Sequence, residues 1–155
     1  AFVVTTRIPL DAPCTALRFD GFRYGVALQP ALDQVSIVDT ETDAVAAEVP
    51  VGSDPDVVVT NADVAAIGNA GSGDVSLVSL GSFAEYARPA IGAPGAAASG
   101  RRLQDGLDPS FVYAFDPADA SLTVIDLRDG STRPPTDAGD VAAMVVAGPK
   151  GGKCH

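Results

Sequence analysis

Val35-Ser36-Ile37-Val38-Asp39, Val75-Ser76-Leu77-Val78-Ser79 and Leu122-Thr123-Val124-Ile125-Asp126 are three versions of one short strand, and their starts lie 40 and then 47 residues apart. Each stands at the centre of a longer stretch, residues 24–52, 64–92 and 111–139, that reads strand, turn, strand, turn, strand. A period of this length is one small antiparallel sheet per repeat, a unit that cannot bury both of its faces by itself and so stacks on its neighbours. The architecture is therefore legible before any chemistry is.

Each unit opens on an apolar strand: Tyr24-Gly25-Val26-Ala27-Leu28, Val64-Ala65-Ala66-Ile67-Gly68 and Phe111-Val112-Tyr113-Ala114-Phe115. These are apolar on both faces, the pattern of strands in a sheet covered from both sides. Six residues rich in Pro, Gly, Asp and Ala lead into the central strand (29–34, 69–74, 116–121), and a second polar turn follows it. Asp56-Val57-Val58-Val59-Thr60 and residues 140–146 read as the innermost strand of the next sheet. At the equivalent place between them, residues 93–106 are longer and Gly-rich, which predicts a degenerate inner strand followed by an exposed loop. That loop carries Arg101 and Arg102, a dibasic pair and candidate processing loop.

Residues 2–8 resemble a third strand and residues 14–19 an inner strand, so the chain begins inside a unit. The predicted organisation is a repeat segment over 1–148, with a partial unit 1–19, whole units 20–60, 61–107 and 108–148, and a Gly/Lys-rich tail 149–155. About fourteen strands make about three and a half four-stranded units. The expected fold class is all-β, blades of a β-propeller forming part of a larger ring, because closed rings take roughly four to eight blades. Two open faces remain. A protein partner, a second copy or a further part of the same polypeptide is expected to close them.

Composition narrows the function classes. With 46% apolar residues the 155-residue chain has material for a core, and no apolar run approaches the roughly 20 residues of a membrane span. Twenty acidic residues against 10 basic ones, net −10, repel phosphate backbones, so no nucleic acid is expected. Seventeen of the acids are Asp, many at strand ends beside Gly, Pro or Thr, where a short carboxylate accepts hydrogen bonds from turn amides. The spaced Asp loop of a calcium site is missing, and no metal is read here. Cys14 and Cys154 are a candidate disulfide; the terminal Cys154-His155 lacks the first thioether cysteine of a haem motif, since Gly151 holds that position. The one histidine is His155, and no Gly-rich phosphate loop occurs. No catalytic residue and no cofactor is assigned.

The run Gln34-Val35-Ser36-Ile37-Val38-Asp39-Thr40-Glu41-Thr42, continuing through Val49-Pro50-Val51-Gly52-Ser53-Asp54-Pro55 to Val59, resembles the YVTN family of β-propeller repeats. Val58-Val59-Thr60-Asn61 and Phe111-Val112-Tyr113-Ala114 echo the signature tetrapeptide, and Ser79 replaces the strand-ending Asp in the middle unit. The resemblance implies a propeller of the kind found in surface and extracellular proteins, in lactonase-like enzymes and beside redox modules. The expected function is a non-catalytic extracellular or cell-surface module for protein interaction and assembly, with homo-oligomers among its assemblies. The alternative is part of a propeller enzyme, lactonase-like or redox-associated, whose active site is completed outside this chain.

Overall fold

A computed structural model describes residues 6–61, 63–92, 102–105, 110–116, 121–133 and 136–137. Three four-stranded sheets follow one another along the chain: β1 (Ala16–Phe19), β2 (Tyr24–Gln29), β3 (Gln34–Asp39), β4 (Ala44–Pro50); β5 (Pro55–Asn61), β6 (Val64–Asn69), β7 (Asp74–Ser79), β8 (Ala84–Ala87); and β9 (Arg102–Asp105), β10 (Phe111–Asp116), β11 (Ser121–Asp126), β12 (Thr136–Asp137). Within each sheet the strands run antiparallel in chain order. Among the described residues the one helical segment is a 3₁₀ turn, Pro30–Leu32. None of the described helices is long and apolar enough to cross a membrane.

The repeat is kept at fine grain. The register of β3 on β4 shifts between Ile37 and Val38, and that of β7 on β8 shifts between Leu77 and Val78, the same place in the repeat. Such a bulge adds local twist, and both outer strands receive it identically. Turns are built from Asp as expected: Asp33, Asp43 and Asp54 sit at φ 50, 51 and 53, a left-handed region that Asp enters more readily than most residues. Phe83, at φ 54, holds the position of Asp43 in the second sheet, and its ring meets Tyr24 edge-on at 5.3 Å between centroids. Packing there outweighs the backbone strain, of order 1–3 kcal/mol.

The sheets stack face to face, so each has a front facing the sheet before it and a rear facing the sheet after it. Between the first and second lie Val26, Leu28, Val35 and Ile37 from the rear of one and Val58, Ala65, Ile67, Val78 and Leu80 from the front of the other, all buried. Between the second and third lie Ala66, Val75 and Leu77 against Val112, Ala114, Ile125 and Leu127. β1, β5 and β9 are neighbours in turn, forming the inner edge of the array.

Several expectations need revision. The inner strand opens each sheet, so the sheets start one strand ahead of the sequence units; β5 belongs with β6 to β8, as the next-sheet reading of residues 56–60 implied. In the third sheet the expected order is reversed. Arg102 begins β9, opposite Phe115, so the inner strand starts at the dibasic pair instead of ending before it. Residues 6–8 are not in a strand, while 2–5 and 140–146 lie outside the described residues. Val124, the midpoint of the third central strand, is half-buried where Ile37 and Leu77 are fully buried, because no described sheet covers the rear of β11.

Candidate functional site

Where one sheet hands the chain to the next, the connection is tied down by a polar cluster. Asn69 Nδ2 donates to Asp74 Oδ1 (2.7 Å) and to Ser76 Oγ (2.9 Å), and Ser72 Oγ donates to Asp74 Oδ1 (2.9 Å). The incoming loop joins them through Gly52 N to Ser76 Oγ (3.1 Å) and Ser53 N to Ser72 Oγ (3.2 Å). A Cβ on Gly52 would stand 2.5 Å from Asn69 Nδ2 and Asp74 Oδ1 and closer still to Ser72 Oγ, so glycine is what lets the backbone approach. The first sheet has the counterpart at the same repeat positions. Ser36 Oγ and Gln34 Nε2 donate to Gln29 Oε1 (2.7 and 3.0 Å), and Gln29 Nε2 donates to the Ala12 carbonyl (2.9 Å). Residues 8–14 thus stand to the first sheet as residues 49–55 stand to the second.

Among the described residues, no further sheet covers the front of the first sheet or the rear of the third. On the front of the first sheet a cleft of about 290 Å³ lies between Ile8 and Leu10 on one side and Leu17, Phe19, Ala27 and Val38 on the other. Leu17 and Phe19 are 49% and 54% exposed, and the Phe19 ring lies over Gly25, where a Cβ would come within 2.9 Å of it. On the rear of the third sheet Phe111, Tyr113, Leu122 and Val124 are half-buried. The Arg133 and Arg128 guanidinium carbons lie 4.8 and 5.8 Å from the Phe111 ring centroid.

Several ionisable groups hold turns. Arg23 binds Asp39 through Nη2 and Nε (2.5 and 3.1 Å) and reaches Glu41 at 3.2 Å, while Asp20 Oδ1 accepts from the amides of Phe22, Arg23 and Tyr24. The Arg23 hydrogen bond lowers Asp39 to about 2, and it raises Arg23 in return. Asp126, at the matching position, is likewise lowered to about 2 by its bonds from Arg128. Carboxylates this acidic carry no proton at neutral pH and make poor general acids or bases. Tyr86 donates from its hydroxyl to the Leu127 carbonyl, tying the second sheet to the third, and burial pushes its phenol upward.

Of the expected site residues, Cys14 and Arg102 fall within the described residues. Cys14 is an exposed free thiol lining the front cleft, and its proposed partner Cys154 lies outside the described residues, as do Arg101 and His155. Among the described residues no group of three His, Cys, Asp or Glu is placed to hold a metal ion. The Arg23–Asp39 pair and the Gly52 connection went unread in the sequence, although a serine or threonine amid each apolar central strand (Ser36, Ser76, Thr123) was the visible trace of the polar clusters.

No family model matches the chain, and no curated protein matches it significantly. Solved structures do. Hydrazine synthase of Kuenenia stuttgartiensis superposes with a TM-score of 0.69 at 18% identity, over 90% of this chain and 40% of that one. Apo AztD from Citrobacter koseri gives 0.68 at 13% identity, over 88% and 37%, and the dihydro-heme d1 dehydrogenase NirN gives 0.63 at 13%, over 84% and 30%. The chain spans well under half the length of the chains it matches. At these identities the likeness concerns the fold, and three successive four-stranded antiparallel sheets stacked face to face are blades of a β-propeller.

Proposed function

We propose that this chain is a segment of a propeller of the YVTN-like kind whose work is protein binding and assembly at the cell surface or outside the cell, without a catalytic centre of its own. The observation that carries the reading is the pair of apolar sheet faces at the two ends of the array, in the same register as the two buried faces inside it. Exposed rows of this kind are removed from water by another sheet. Light scattering on the chain over a range of concentrations tests it: a mass above the 15.6 kDa of one chain is expected, and a monodisperse monomer at every concentration overturns the reading.

A second reading, part of a propeller enzyme completed outside this chain, draws on two of the matched structures being named as enzymes. Among the described residues there is no histidine, and the Asp39 and Asp126 carboxylates are committed to arginine. A longer polypeptide that turns over a lactone or binds haem, with loss of activity on changes at the open cleft, would favour this reading over the first.

A further inference from the structure

We propose that the Asp20-Gly21 step modifies itself in the folded protein, passing through a cyclic imide to isoaspartate. The sequence holds three Asp-Gly steps, at 20–21, 105–106 and 129–130. Glycine favours ring closure because it has no Cβ to shield its nitrogen from the side chain before it. Two of the three steps lie wholly within the described residues, and the fold treats them in opposite ways. At 129–130 the Gly130 N–H donates to the Asp126 carbonyl (2.8 Å), and a Cβ on Gly130 would stand 2.5 Å from that of Ala87. There the nitrogen is engaged and the backbone is packed against the second sheet. Gly21, by contrast, is exposed at φ 86, and nothing lies within 4 Å of the place a Cβ would take. Among the described residues its N–H makes no hydrogen bond.

The Asp20 side chain is arranged for the reaction. Its Oδ1 accepts from the amides of Phe22, Arg23 and Tyr24 (2.7, 2.9 and 3.0 Å), so the carboxyl folds forward along its own chain, past the Gly21 nitrogen that lies between. Three N–H groups on one oxygen are also a cradle for the negative charge which that oxygen gains when Cγ is attacked. In the protonated carboxyl the Gly21 nitrogen adds to Cγ and loses its proton, and the Cγ–Oδ2 bond breaks so that Oδ2 leaves as water. A cavity of about 240 Å³, lined by Phe19, Asp20, Gly21, Phe22, Arg23 and Thr40, gives water access to the imide. Water then opens the ring at either carbonyl. Opening at Cγ restores Asp; opening at the main-chain carbonyl leaves the chain running through Cγ, with one more carbon in the turn between β1 and β2. The longer turn breaks the match between the carboxyl and its three amides. It moves Phe22, which is 87% exposed, and Arg23, which pairs with Asp39 and Glu41.

Incubation in heavy-oxygen water tests it. The chain is kept folded at neutral pH and body temperature, with circular dichroism as the check, then transferred to ordinary water and cut with trypsin, which releases residues 19–23 as one peptide. That peptide should carry one heavy oxygen for each imide opened and separate into two forms of equal mass, one of them resistant to a protease that cuts before Asp. The peptide that begins at Asp129 should take up about tenfold less, since its turn must first open locally. In urea, where neither turn exists, the two steps should take up heavy oxygen at comparable rates. Asp20→Ser, which keeps an oxygen for the amides and removes the electrophilic carbon, should end the uptake in 19–23. Equal uptake at the two steps of the folded chain overturns the proposal. So does a 19–23 peptide that stays light, which would mean that the turn is covered or too rigid to close the ring. A preference for 20–21 as large in urea as in the folded chain overturns it as well, because the selectivity would then lie in the local sequence and not in the fold.

Discussion

Gly52 has less room than Gly71, which also packs at the inter-sheet connection. The three groups that a Cβ would strike are bonded to one another, so none can yield without breaking the cluster that holds the loop. Gly52→Ala is expected to cost roughly 1–3 kcal/mol of unfolding free energy by urea titration, an overpacking penalty; a value near zero would mean that the loop relaxes freely. Asp39 makes a prediction in pH. Its folded value of about 2 lies below the ordinary 3.8, so the unfolded chain takes up a proton first as the solution is acidified. The contribution of the Arg23 pair is therefore whole above about pH 4 and is lost as pH falls towards 2. Asp39→Asn should lower stability at neutral pH and flatten the acid limb of a melting curve, and an acid limb of unchanged slope would show the pair to be screened by solvent.

The three central strands share a sequence pattern and differ in what they face. Ile37 is fully buried between two sheets, so Ile37→Asp places a carboxylate there without a partner and should cost several kcal/mol, roughly 3–5, by denaturant titration. Val124 is half-buried on the rear of the third sheet, which no described sheet covers, and Val124→Asp should cost less than half as much. Equal penalties for the two would mean that the rear of β11 is covered within a single chain. Phe83 and Asp43 make the same point at a turn: one repeat position carries an aromatic where a neighbouring sheet is present and an acid where none is described.

In an array of this kind each sheet touches only its neighbours, so stability is close to a sum over interfaces, and under the proposed assembly an interface between chains would add to it by mass action. Unfolding followed by circular dichroism should therefore show a midpoint that rises with protein concentration over a hundredfold range. A concentration-independent midpoint would place the whole stability of the chain in its two internal interfaces.

Period and alternation are properties of the chain alone, which is why the strands of residues 24–29, 34–39, 64–69 and 74–79 and their antiparallel order were readable from the sequence. Apolar residues on both faces of a strand, between Asp- and Gly-rich turns, admit few other structures. Three things depended on the tertiary arrangement. Which of four similar strands opens a sheet is set by pairing, not pattern, and β9 is too weakly apolar to read as a strand until β10 pairs with it. The polar clusters join residues some 20 positions apart, a distance no local motif spans. The burial of Ile37 and Leu77 against the half-exposure of Val124 follows from whether a further sheet lies behind, since a strand records its own two faces and not how many neighbours it will have.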